Sequence, residues 1–175
     1  MAPQSPENPE PELRPCPRCG GVVPVVDAPT PAEISAAPGC WMLYNKVVGR
    51  EYGEWSYPQL HRLTVNAYAA QHPGGSGPDA VRWLGSHLIG LCAALALGQD
   101  ATRSNSIIDR VAAEFAGFEW LEPPQLSGLL TIADVAAAPS LRERERLVRD
   151  WACDVWDAWA AHHATIKGWL DQISA

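Results

Sequence analysis

"HRLTVNAYAAQHP", residues 61 to 73, decides how the chain folds. On an α-helix, residues seven or eleven apart return to within about 20° of the same direction. His61, Tyr68 and His72 therefore share one face, with Val65 between them and Thr64 and Gln71 beside it. Besides Arg62 and Asn66, the remaining positions are Leu60, Leu63, Ala67, Ala69 and Ala70, so the helix is apolar nearly all round and belongs in the interior. Pro73 closes it. Buried imidazoles and a buried phenol need partners. A metal, other side chains or a ligand in a pocket would each serve.

Working outward, the same 3.6-residue period recurs on both sides. "CWMLYNKVVGREY" (40–52) puts Trp41, Tyr44 and Val48 on one face. The central helix is expected from Pro58 to His72, stopped by "PGGSGP". A third runs from Pro78 to Leu97, with Gly98 as its C-cap, and a fourth from about Ser104 to Ala116. After an irregular stretch through residue 139, Ser140 and Glu143 form an S-x-x-E capping box. They open a last helix whose apolar seam passes through Val148, Ala152, Val155, Trp159, Ile166, Trp169 and Ile173. The only strand-like run is "GGVVPVV". The expected class is mainly α: a helical, bundle-like single domain over residues 16–175, including an irregular N-terminal zinc-knuckle loop (16–40). A flexible, acidic, proline-rich tail is expected over residues 1–15.

Bulk composition bounds the function. At 175 residues and 47% hydrophobic, the chain can bury a sizeable core. A net charge of −7 disfavours nucleic acid or an anionic membrane surface as partner. The basic run "RERERLVR" (142–149) alternates with glutamates and reads as a solvated helix face. No run is long and apolar enough to span a bilayer, and the first residues lack the basic and apolar regions of a signal peptide. The expected location is cytoplasmic. Five cysteines there argue against a disulfide framework and, with five histidines, for metal.

"CPRCGG" supplies two thiolates at knuckle spacing, followed by glycines that let backbone amides approach the sulfurs. Cys40, in "PGCW", is a third soft ligand, making zinc the expected ion. A structural site wants a fourth. His61 is the preferred candidate by order in the chain; Asp27, His72 and Cys92 are the others. The expected role of zinc is to order a loop with few apolar residues.

His72 and Tyr68 then remain for an internal hydrogen-bonded network or for a pocket, where they would serve proton transfer. His162 lies on the seam of the last helix and His163 on its flank, and both join them as candidate catalytic residues. His87, in "SHLIGLC", sits among small residues that leave room for a ring. Eight tryptophans make the chain tryptophan-rich; four fall in the last helix, where core packing or an aromatic-walled pocket would use them.

C-x-x-C-G (16–20), the later Cys40, H-x-L-T-V-x-x-Y-x-x-Q-H-P (61–73), S-H-L (86–88) and W-A-x-x-x-W-x-x-W-x-x-H-H (151–163) together resemble a bacterial family catalogued as domain of unknown function 5946. The resemblance covers nearly all of the chain after the tail. It implies a shared fold and a shared metal site, and brings no reaction with it. An aspartate is common in that pattern where this chain has Asn66.

No phosphate-binding glycine loop, G-x-S-x-G elbow or H-E-x-x-H is present. Two readings follow. One is a small zinc-binding helical protein that binds or scaffolds another protein or a small molecule. The other is a metal- or histidine-dependent enzyme acting on a small molecule in a His/Tyr/Trp-lined pocket.

Overall fold

Prolines start the first three helices. A computed structural model describes residues 11–53, 58–98, 110–111, 117–125 and 128–174. In it α1 spans Pro38–Gly53, α2 Pro58–Gln71 and α3 Pro78–Leu91. A proline at the first helical position loses nothing by lacking an N–H, and its fixed φ already suits the helix. Side chains cap the next two. Thr131 and Asp134 form a reciprocal capping box on α4 (Ile132–Ala136), and Ser140 Oγ accepts from Glu143 N on α5 (Leu141–Ala158). α6 covers His163–Ser174.

The fold is mainly helical, as the periodicity predicts, and α2 is its centre. It packs against α1, α3 and α5. Leu63, Ala67, Ala69 and Ala70 are buried. The tryptophans of α5 close around it: Trp151 Nε1 donates to Gln71 Oε1 at 3.1 Å, and Trp159 Nε1 donates to the Ala70 carbonyl at 3.1 Å. Gln71 Nε2 in turn donates to the Leu130 carbonyl at 2.8 Å. A buried amide on an apolar helix is thus fully employed in joining three segments. Trp151, Trp156, Trp159 and Trp169 are all buried, so the C-terminal tryptophans are core rather than an exposed aromatic surface.

Three boundaries differ from expectation. The end of the expected tail is a strand: Leu13–Pro15 (β1) pairs antiparallel with Val22–Pro24 (β2), Pro15 opposite Val22, while residues 1–10 lie outside the described residues. The C-terminal seam is not one helix. The chain turns at Trp159 (φ −86°, ψ 12°) through a 3-10 segment, Ala160–His162. There the Trp156 carbonyl takes Trp159 N at 3.0 Å and His163 Nε2 at 2.9 Å, while the His163 ring stacks on the Trp156 indole. An imidazole that caps a carbonyl in this way makes the break local, and Ile166, Trp169 and Ile173 stay buried beyond it. Finally, α3 gives way after Leu91 to a π-helical turn, Cys92–Ala96, before Gly98 (φ +60°) ends it. Of the expected fourth helix only residues 110 and 111 are described, both helical; the rest lies outside the described residues. Among the described residues no helix is long and apolar enough to cross a membrane.

Candidate metal centre

The hairpin β1–β2 carries the first two cysteines in its loop. Cys16 N donates to the Gly21 carbonyl at 2.8 Å and Gly20 N to the Cys16 carbonyl at 2.9 Å. Gly20 sits at φ +73°, a left-handed conformation that a residue with a Cβ adopts at a cost. This tight turn directs Cys16 and Cys19 to the same side. Cys40 enters from the first turn of α1. Gly39 makes the approach possible: a Cβ there would lie 1.8 Å from the Pro24 carbonyl oxygen.

The fourth group is His72. Ile34 bridges Pro73, and Ser35 N donates to the His72 carbonyl at 3.1 Å, so the segment before α1 is laid against the end of α2. One ligand atom from each of Cys16, Cys19, Cys40 and His72 lies within 4.8 Å of every other. Cys40 Sγ is 3.9 Å from Cys19 Sγ and 3.3 Å from His72 Nε2. A tetrahedral zinc ion with Zn–S near 2.3 Å and Zn–N near 2.0 Å demands ligand separations of roughly 3.5–3.8 Å. A disulfide would need about 2.05 Å. All five cysteines are free. These four side chains can hold a metal ion.

The surroundings prepare each ligand. His72 Nδ1 donates to the Tyr68 carbonyl at 2.9 Å, which fixes the tautomer and leaves the Nε2 lone pair for Cys40's side of the site. Ala37 N donates to Cys16 Sγ at 3.4 Å, and the Tyr68 hydroxyl to Cys40 Sγ at 3.7 Å. Hydrogen-bonded to one another, the sulfurs share protons unequally. Cys16 is held far below its usual range, chiefly by a hydrogen bond from Cys19 and then by one from Cys40. Cys19 is pushed up to about 11 by its bond to Cys16, and Cys40 further still by Cys16 and then Cys19. Burial keeps Tyr68 a neutral phenol, its pKa raised also by charge at Cys40.

The other sequence candidates lie elsewhere. His61, expected at the fourth corner, instead places Nδ1 3.1 Å from Glu51 Oε2; eleven residues of α2 separate it from the sulfurs. The reason is the reach of α1, which brings its N-terminal cysteine to one end of the histidine stripe and its C-terminal glutamate to the other. Tyr68 does reach the site, as a donor to sulfur. His162 Nε2 bonds the Glu122 carbonyl at 2.9 Å and His163 the Trp156 carbonyl, so neither joins the cluster. Asp27 is exposed and Cys92 is buried away from the group. Glu51 went unread in the sequence, although it stands eleven residues after Cys40 on the same helical face. So did the pairing of His87 Nδ1 with Asn66 Oδ1 at 2.9 Å.

No curated protein and no solved structure matches the chain. A family model described as "family of unknown function (DUF5946)" matches residues 14–160, from the first strand of the hairpin to the break after Trp159. That span contains every ligand of the cluster and most of the helical core, and the chain belongs to this family.

Proposed function

We propose that the chain is a zinc-binding helical protein in which one tetrahedral ion, held by Cys16, Cys19, Cys40 and His72, clamps the β1–β2 hairpin to α1 and α2. The observation that carries this reading is the mutual approach of four ligand atoms within 4.8 Å from three separate segments. Three thiolates and an imidazole are soft and borderline donors, a set that suits zinc and disfavours magnesium or calcium. Cys16 and Cys40 are almost completely buried and Cys19 is half-buried, so the site is closed in the manner of a structural one. With so few apolar residues in the hairpin loop, the ion supplies the order that packing does not. A binding or scaffolding role for another protein or a small molecule follows from a rigid, metal-ordered surface. The acidic balance disfavours nucleic acid as that partner.

Metal analysis of the purified chain, alone and as Cys40→Ala, tests the proposal. About one zinc per chain is expected for the parent and a large loss for the variant. Cobalt exchange should give the intense visible absorption of tetrahedral thiolate coordination. A metal-free chain that keeps its hairpin ordered would overturn the reading.

A further inference from the structure

The end of the histidine stripe remote from the sulfurs is also a constructed polar site. Glu51 is 6% exposed, and both carboxylate oxygens are engaged: Oε1 accepts from Thr64 Oγ1 at 2.6 Å and Oε2 faces His61 Nδ1 at 3.1 Å. The His61 side chain keeps 19% of its surface in solvent against 2% for Glu51. Since Nδ1 points inward to a buried carboxylate, the exposed edge of the ring is the one that carries Nε2. Tyr52, itself 65% exposed, packs beside the imidazole at a tilt, with ring centroids 4.6 Å apart. A carboxylate buried this deeply is costly unless partners offset it, and Thr64 and His61 are those partners. The arrangement of inward acid, orienting bond and outward Nε2 is one that proton-transfer chemistry uses.

We infer that Glu51 and His61 form a second functional centre, an acid–base pair independent of the metal, whose proton acceptor is His61 Nε2. Thr64 is buried and its hydroxyl is committed to Glu51, so it cannot be the nucleophile. The attacking hydroxyl comes from outside, as water or as part of the substrate. The substrate class is a small molecule with an electrophilic carbonyl and an apolar or aromatic body that rests on Tyr52. As the hydroxyl oxygen bonds to the carbonyl carbon, its proton passes to His61 Nε2 and the C=O π pair moves onto oxygen. When the leaving group departs with its bonding pair, Nε2 returns the proton to it. Nδ1–H stays with Glu51, whose charge balances the transient imidazolium.

The test uses the full, metal-loaded chain and diethyl pyrocarbonate, a small electrophilic carbonyl compound. An imidazole nitrogen bonds to its carbonyl carbon and expels ethyl carbonate, which yields carbon dioxide and ethanol. Site-resolved mass spectrometry should find His61 modified about tenfold or more faster than His162 and His163. Glu51→Gln should slow His61 alone, with the rates at the other two histidines and the metal content reporting an intact fold. Independently of any variant, nitrogen NMR of the parent should show His61 Nδ1 protonated. Equal rates at all three histidines, or a His61 that carries its only proton on Nε2, would overturn the inference. Metal content decides the zinc proposal separately.

Discussion

Cys40 Sγ stands 3.3 Å from His72 Nε2, and this contact marks one end of an antiparallel register between α1 and α2. One turn along, the Tyr44 and Tyr68 rings stack with centroids 4.1 Å apart. At the far end, Glu51 meets His61 and Thr64. Residues eleven apart on one helix thus meet residues eleven apart on the other. The aromatic pair continues onto the imidazole of His72, 4.2 Å from the Tyr68 ring, and outward to Trp41, 4.9 Å from Tyr44. The stacked rings lie between the two polar ends. Each end can therefore carry its own chemistry.

His72 and His61 should separate cleanly in metal binding. His72→Ala removes a corner of the tetrahedron, whereas His61→Ala leaves all four ligands in place. The first should weaken zinc by more than the roughly 10–100-fold that a change outside the ligands costs. The second should leave zinc content unchanged. Competition with a chromophoric chelator measures both. Zinc lost from the His61 variant and kept by the His72 variant would show that the register is wrong.

Zinc uptake should release protons, in a number that the unequal thiols fix. Near neutral pH, without the ion, Cys16 is already a thiolate, while Cys19, pushed up to about 11, and Cys40, higher still, remain thiols. Binding must deprotonate both, so affinity rises with pH and falls on acidification. Two protons correspond to a change of about 100-fold per pH unit in this range. Calorimetry in buffers of different ionisation enthalpy gives the count directly. A count near zero would mean that the sulfurs are not ligands.

The core and the ligand types were legible in the sequence; the pairing across helices was not. Helical period places His61, Tyr68 and His72 on one face and Cys40 and Glu51 on one face of α1, without saying what either face meets. Order along the chain favours His61 because it comes first. Antiparallel packing inverts that preference, since the start of α1 lies beside the end of α2. The break at Trp159 was hidden for another reason. Neither proline nor glycine marks it, and the group that caps the freed Trp156 carbonyl is His163, on the flank of the apolar seam.

Gly39 is the most constrained small residue near the centre. An added Cβ would fall 1.8 Å from the Pro24 carbonyl oxygen, which is backbone and cannot swing aside. Gly39→Ala must push the start of α1 off the hairpin and carry Cys40 with it. A loss of about 1–3 kcal/mol of stability is expected from overpacking, together with weaker zinc. Gly49→Ala, where a Cβ meets nothing within 4 Å, is the matched control and should stabilise α1 slightly. Thermal unfolding with and without chelator separates the packing loss from the metal loss.

The buried pair of His87 and Asn66 makes a prediction about acid. Burial first, and then the positive charge of Arg62, lower the His87 pKa to about 4. Burial keeps the ring neutral, and its Nδ1 donates to Asn66 Oδ1 at 2.9 Å. The folded state then binds the proton less readily than the unfolded chain, whose histidine titrates near 6.5. The stability tied to this difference is fully present above pH 6.5 and is lost as pH falls from there towards 4. Linkage puts the loss at about 2 kcal/mol by pH 5. The difference in unfolding free energy between the parent and His87→Gln, taken at pH 7 and again at pH 5, isolates this term, because both chains release metal alike. Asn66→Asp should shrink it: a carboxylate against Nδ1 favours the imidazolium and raises the His87 pKa by about 1–3 units. An NMR titration of the His87 ring in the two chains would read that rise directly, and an unchanged midpoint would show that Asn66 does not set the charge state of His87.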